Sequence, residues 1–359
     1  MMNQISFFDG SEPLKINKPI RLIELFSEIG SQAKALELIG AEFEHYRICE
    51  KDKYAVTSYN AIHGTNFVDS DITQLTGKDL NVVDTDKYQY ILTYSFPCQD
   101  LSICGLKGGM EQGTRSGLLW EVQRLLKQCD ELPQILLMEN VPLIANDKNK
   151  PLFYKWIDFL EELGYTSKWQ ILNSKHFGVT QSRERCIMVS WLGDYYYDFP
   201  NGYPSRRILR DILQPDYEIE EKYLLSSERI QFVENQIAYD PTEPKLIGGY
   251  GEKTSNNGTQ WFQQNRFYSV DAVAMCHCAN IAGGSYKYYI EGSKTPYRYL
   301  TPKECWRLMS FDDEDFDKAR KALNGKYFKG NGKADAQLYK QAGNSIVVKM
   351  LCEVFKKML

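Results

Sequence analysis

No apolar run in the 359-residue chain approaches the roughly 20 residues that a membrane-crossing helix needs. The opening stretch, MMNQISFFDGSEPLKINK, lacks the basic-then-apolar plan of a secretory signal, so a cytoplasmic protein is expected. The nine cysteines are odd in number, scattered and without a CxxC pair. That spacing suggests neither a disulfide framework nor a zinc ribbon. Cys276-His277-Cys278 is tight enough to bind metal but has no second ligand pair nearby, so no metal is expected. Positive charge is not in excess either: the net charge is -4. This argues weakly against a nucleic-acid partner, because phosphate contacts depend on local patches rather than on the total. There are no internal repeats and no low-complexity tracts.

What is present, in the first half, is alternation. IRLIELF (20–26) reads as a short apolar strand, and SQAKALELIG (31–40) as a helix closed by Gly40. YRICE (46–50) reads as a strand, KYAVTSYNAIHG as a helix ending at Gly64, and NFVDSDI as an apparent third strand. YQYILTY and PQILLMEN are further strands. SGLLWEVQRLLKQ places Leu118, Leu119, Val122, Leu125 and Leu126 on one helical face. FYKWIDFLEELGY reads as a helix and RCIMVSWLG as a strand. Such alternation implies an α/β fold with a mainly parallel, doubly wound sheet, whose functional groups gather at the carboxyl ends of strands.

The pattern changes after about Pro200. From there to about Lys294 the chain is rich in Tyr, Asn, Gln, Gly and Ser, and reads as loops between short strands. Residues 225–300 carry seven Lys or Arg and seven Asp or Glu, so the segment is locally neutral. It is either a recognition module or an irregular insertion. Helical pattern returns at TPKECWRLMSF, where Pro302 suits a first turn, and again in the amphipathic SIVVKMLCEVFKKML.

Several residues stand where chemistry would be done. A strand, a turn with Gly30 and a helix opening at Ser31 can present backbone N–H groups to a ligand. Glu50, about twenty residues on, closes the next strand and can bind two ribose hydroxyls, or is a solvated strand end. Asp71, followed by Ile72, can accept from an adenine amino group. In ILTYSFPCQDLSICG, Pro97 ends a strand and Cys98 follows on a loop, as a buried thiol, a ligand or a nucleophile. Glu139 and Asn140 end another central strand, which puts Glu139 on the same rim as Cys98, where a partly desolvated carboxyl can donate a proton. QSRERC follows with Gln181, Arg183 and Arg185. Alternation points both arginines to one side, to hold phosphate or a carbonyl oxygen, or to pair with surface acids such as Glu184.

Taken in order, LFSEIGSQAKALE, SFPCQDLS, GTRSGLLWEV, LLMENV, QSRERC, YRYLTPKECWRLMSF and YKQAGNSIVVKM resemble the cytosine carbon-5 DNA methyltransferases over nearly the whole chain. The resemblance implies a Rossmann-like methyltransferase sheet with a second, smaller target-recognition domain. It implies a catalytic domain over 18–200 completed by 330–359, target recognition over 201–300, and a connecting segment over 301–329. Cys98 would attack carbon 6 of a flipped cytosine, Glu139 would bind ring nitrogen 3 and the amino group, and Arg185 would hold the carbonyl oxygen. Arg183 would contribute to phosphate or loop contacts. S-adenosylmethionine would lie on Phe26, Gly30, Ser31, Glu50, Asp71, Ile72, Pro97, Asn344 and Ser345. Gln99, Ser102, Asn140, Val141 and Gln181 would shape the substrate loops. The implied partner is double-stranded DNA, with the protein acting as a monomer in restriction–modification or phage self-protection.

The same motifs admit transfer to cytosine in tRNA, or a weakened DNA-binding relative. A nicotinamide dehydrogenase would leave PCQ and ENV unexplained. Two positions depart from the family pattern. Glu28 stands where the first motif has glycine, and Cys276-His277 where the recognition region has Thr followed by Leu, Ile or Val.

Overall fold

The computed structural model describes residues 12–97, 116–226, 228, 230–233, 240–250, 261, 265–279, 287–294, 296–330 and 333–359. Two compact units emerge, one of Met1–Leu172, Glu184–Asn201 and Met350–Leu359, the other of Asn173–Arg183 and Gly202–Lys349.

The first unit is built on a six-stranded sheet: β1 (Ile20–Leu25), β2 (Phe43–Cys49), β3 (Gln89–Tyr94), β4 (Ile135–Asn140), β5 (Tyr165–Asn173) and β6 (Glu184–Leu192). Their order is β2-β1-β3-β4-β6-β5. The β1–β2, β1–β3 and β3–β4 pairs are parallel, whereas β4 and β6 run antiparallel. The connecting helices are α1 (Ser31–Leu38), α2 (Lys53–His63), α3 (Leu119–Lys127) and α4 (Lys150–Glu162).

The central strands are mainly apolar because both faces are covered. Tyr90, Leu92 and Tyr94 of β3 join Leu136 and Met138 of β4 in a cluster with Leu119, Val122 and Leu125 of α3 and Phe153 and Trp156 of α4. The alternate residues Ile91 and Leu137 lie outside that cluster and are equally buried. The Trp156 indole donates to the Tyr94 hydroxyl at 3.0 Å, so the indole N–H is paired inside this core.

NFVDSDI is not a strand. Asn60 bonds both backbone groups of Phe67, through Nδ2 to its oxygen (2.8 Å) and from its N–H to Oδ1 (2.9 Å), which holds the segment as a loop. The strand that follows β2 in sequence is instead Gln89–Tyr94. The half-buried, polar β5 gave no clear alternation in the sequence.

The second unit carries a sheet of β7 (Ile230–Phe232), β8 (Leu246–Tyr250), β9 (Arg266–Ser269), β10 (Lys287–Tyr289) and β11 (Tyr297–Tyr299), in the order β11-β10-β9-β8-β7. After it come α5 (Pro302–Leu308), α6 (Asp313–Tyr327) and α7 (Asp335–Asn344); α8 (Val348–Lys356) crosses the division at Met350. α5 opens with a capping box between Thr301 and Glu304, with Pro302 in the first turn. The return to the first unit falls at Met350, later than the expected 330. The cause is packing: the Trp306 indole of α5 donates to the Leu338 carbonyl (3.0 Å), and the Tyr339 hydroxyl to the Leu300 carbonyl (2.6 Å), tying α7 to α5.

Candidate active site

The turn leaving β1 is backbone-strained. Phe26, Glu28 and Gly30 have φ of 59°, 48° and 81°, the left-handed region that favours glycine. The Phe26 N–H donates to the Cys49 carbonyl at 2.7 Å, pinning the turn to the end of β2. Glu50 lies just beyond. One of its oxygens accepts the Glu28 N–H (3.2 Å) and the other the Asp52 N–H (2.8 Å). Burial raises the Glu50 carboxyl above its ordinary range, and the two N–H donors only partly offset that. The Glu50 carbonyl accepts the Ser70 N–H (2.8 Å), which brings the next loop alongside. There Asp71 caps the short turn Ile72–Gln74 through the Thr73 N–H (3.1 Å) and pairs with Lys51 at 2.6 Å. The Lys51 bond is the main reason its carboxyl sits below the usual range. Phe26, Gly30, Ser31, Glu50, Asp71 and Ile72 are thereby gathered along the carboxyl ends of β1 and β2.

A second cluster occupies the carboxyl ends of β3 and β4. Phe96 is buried, and its carbonyl accepts from Asn140 Nδ2 at 3.1 Å, while Asn140 Oδ1 accepts the Val141 N–H at 2.9 Å. Asn140 thus fastens the loop two residues before Cys98. Pro97 is half-buried on that loop. Cys98, Gln99 and Ser102 lie outside the described residues. Glu139, 8% exposed, meets Arg185, whose Nε lies 2.7 Å from Oε1. Register explains the meeting. β6 runs antiparallel to β4, with Glu139 opposite Ile187 and Asn140 opposite Cys186, so the start of β6 reaches the rim where β4 ends.

Arg183 and Arg185 do not share a side. β6 begins only at Glu184, so strand alternation does not extend back to Arg183. The Arg183 guanidinium is buried in the second unit, donating to the carbonyls of His277 (2.6 Å), Gly343 (2.8 Å) and Ser345 (2.9 Å). Gln181 is buried there too: its Nε2 donates to the Leu308 carbonyl (3.3 Å) and its Oε1 accepts the His277 N–H (2.7 Å). Asn344 ends α7, and Ser345 bonds back through its hydroxyl to the Gln341 carbonyl (2.7 Å).

One contributor was missed in the sequence. Gln32, buried on α1, donates to the Ser95 hydroxyl at 3.4 Å and so links the first motif to the loop before Cys98. Its signal was a polar residue on the buried face of a helix.

A family model described as C-5 cytosine-specific DNA methylase matches residues 20–359. The chain belongs to that family. This methylase is 32% identical over 311 residues to the type II methyltransferase M2.ScrFI of Lactococcus lactis subsp. cremoris, covering 86% of this chain and 74% of that protein. It is 30% identical over 345 residues to the type II methyltransferase M.HhaI of Haemophilus parahaemolyticus, covering 92% of each. Among solved structures, the Dnmt2 methyltransferase of S. pombe matches with a TM-score of 0.63 at 20% identity, covering 94% of this chain and 97% of that one. The Entamoeba histolytica methyltransferase EhMeth matches at 0.68 and 17%, covering 95% and 98%. Those two likenesses concern the fold.

Within the methylase, the departure at Cys276-His277 is now explicable. His277 is 1% exposed, its Nε2 lies 3.1 Å from the Tyr339 carbonyl, and burial pulls its pKa down to about 4. It is a neutral core residue. No helix among the described residues is long and apolar enough to cross a membrane.

Proposed function

We propose that this DNA cytosine-5 methyltransferase acts on a cytosine flipped out of duplex DNA, through a transient bond between the Cys98 sulfur and carbon 6. The observation that carries the reading is the Glu139–Arg185 pair at the sheet rim, next to the Asn140 tie that fastens the Cys98 loop. A carboxyl and a guanidinium side by side match the edge of cytosine: a protonated Glu139 donates to ring nitrogen 3 and accepts from the amino group, and Arg185 donates to the carbonyl oxygen. Both side chains are about a tenth exposed, so they act on the base with little solvent screening.

S-adenosylmethionine supplies an electrophilic methyl group when bound. The residues fit such a molecule: the buried Glu50 carboxylate would take the ribose hydroxyls, Asp71 and Ile72 the adenine, and the Gly30–Ser31 helix start the methionine carboxylate. The Cys98 thiolate adds to carbon 6, which makes carbon 5 nucleophilic toward that methyl group. Loss of the carbon-5 proton to a base then expels the thiolate and restores the ring. A base inside a helix is unreachable by this thiol, so flipping precedes attack, at a cost of a few kcal/mol that pocket contacts offset. The type II methyltransferases among the relatives support a place in restriction–modification.

Bisulfite sequencing of DNA from cells expressing the protein tests this directly. Cytosines at one short sequence should resist conversion, and Cys98→Ser should abolish that resistance. Labelled methyl transfer to tRNA but not to duplex DNA would overturn the substrate assignment.

A further inference from the structure

A second polar cluster lies under the β1–α1 turn, and methyl transfer makes no use of it. It comprises Glu24 on β1, Glu37 on α1, His45 on β2, and Tyr59 and His63 on α2. The distances are compatible with one arrangement of protons in which the two imidazoles turn lone pairs toward Glu37. Glu24 is 1% exposed; one oxygen accepts the Ala33 N–H (3.3 Å), and the other lies 2.6 Å from the Tyr59 hydroxyl. With Glu24 ionised, the Tyr59 proton is committed to it, and the same hydroxyl accepts from His45 Nδ1 at 3.0 Å. His45 then presents a bare Nε2. His63 Nε2 lies 3.1 Å from the Ile29 carbonyl, which can only accept, so a neutral His63 presents a bare Nδ1.

Both bare nitrogens face one carboxylate oxygen. Glu37 Oε1 is 2.7 Å from His63 Nδ1 and 3.6 Å from His45 Nε2. Ligand atoms of all three residues lie within 4.8 Å of one another. In that arrangement three acceptors converge, a set that a bound cation would satisfy.

We propose that Glu37, His45 and His63 form a binding site for one zinc-class divalent metal ion, clamping the turn that begins α1. Two histidines and a carboxylate are a zinc ligand set, and bonds of about 2.0–2.2 Å would space tetrahedral ligands roughly 3.3–3.5 Å apart. The observed separations bracket that spacing, so small side-chain rotations suffice. The outer partners that orient metal-bound imidazoles are in place: the Ile29 carbonyl for His63, and the Tyr59–Glu24 pair for His45. Lys34 sits 3.7 Å from Glu37 Oε2 and leaves Oε1 to the site. The His63 side chain is fully buried, whereas those of Glu37 and His45 are 31% and 19% exposed, which leaves an entry path and room for a water as fourth ligand. Spacing along the chain had led to the expectation of no metal; these ligands come from three different elements and form no sequence motif. The proposal stands independently of the methyl-transfer reading.

The test is calorimetric titration of Zn2+ into the full-length, chelator-treated protein at neutral pH. One equivalent should bind saturably and raise Tm. Glu37→Gln and His45→Gln should each weaken binding at least tenfold, and a Cys276→Ser/Cys278→Ser double variant should not. No one-equivalent uptake would overturn the site and leave a proton shared between Glu37 and His63 as the positive charge. Uptake that survives Glu37→Gln but is lost in the cysteine variant would also overturn it. Should the Glu37 or His45 variants fail to fold, Co2+ in the wild-type protein decides. Tetrahedral ligand-field bands without thiolate charge transfer support the site; a thiolate band overturns it.

Discussion

At the residue scale, Glu28 is the position where this chain departs most plainly from its family, and the backbone explains what glycine does there. A non-glycine residue at φ 48° carries strain of about 1–2 kcal/mol. Replacing it with glycine relieves that strain but frees the unfolded chain, at a cost of about 0.4–1 kcal/mol. The relieved strain is the larger of the two, so Glu28→Gly is expected to raise Tm slightly in a thermal melt. It should tighten S-adenosylmethionine severalfold by calorimetry, because a carboxylate is removed from the turn that would receive the methionine carboxylate. Unchanged affinity would show that Glu28 does not crowd the site.

Glu50 gives a pH dependence whose sign follows from its raised pKa. Ribose hydroxyls donate to the ionised carboxylate, so cofactor affinity is full above the folded-state pKa and falls as pH drops through it. The decline should start above the ordinary glutamate value of about 4.3. Stability moves the other way. The folded protein holds this proton more tightly than the unfolded chain, so Glu50 lowers stability at neutral pH and that deficit disappears on acidification. Calorimetry across pH should show the decline in wild type and a weaker, flatter profile in Glu50→Gln.

At the scale of elements, the turn between β1 and α1 tolerates no side chain at Gly30. A Cβ there would come within 2.4 Å of His63 Nε2 and 2.6 Å of the Tyr59 ring, at φ 81°. Gly30→Ala should cost about 2–4 kcal/mol in urea unfolding, combining backbone strain with overpacking. The elements most legible in the sequence were those the core dictates. The apolar runs of β1, β3 and β4 and the spacing of α3 could hardly be anything else. β5 was missed because YTSKWQILN is half-buried and mixes polar with aromatic residues. α6 was missed because DEDFDKARKALNGKY buries only a narrow stripe, at Asp315, Phe316, Ala319 and Leu323. Glu139 and Arg185 were readable because strand ends collect functional groups. The burial of Arg183 was not, since it depends on carbonyls 94 to 162 residues away in sequence.

At the scale of the whole molecule, Arg183 gathers two distant backbone segments of the second unit, at His277 and at Gly343–Ser345. A lysine offers a single ammonium in place of the planar fork, so Arg183→Lys should lose about 2–4 kcal/mol of stability, read by urea unfolding. Turnover by the molecules that remain folded should fall less than tenfold, since the guanidinium is spent on carbonyls. A loss as large as that of Cys98→Ser would instead place Arg183 on the substrate.

The strand order has a consequence in time. β6 lies between β4 and β5, yet it is the last of the three to be made. At the usual pace of about 5–20 residues per second, Arg185 is synthesised roughly 2–9 s after Glu139. Until then β4 has an open edge of ILLMEN, an apolar strand with no neighbour on that side. Glu139 waits through the same interval without its cation. The half of the pocket that would grip the base is thus also the last seam of the sheet to close on the ribosome.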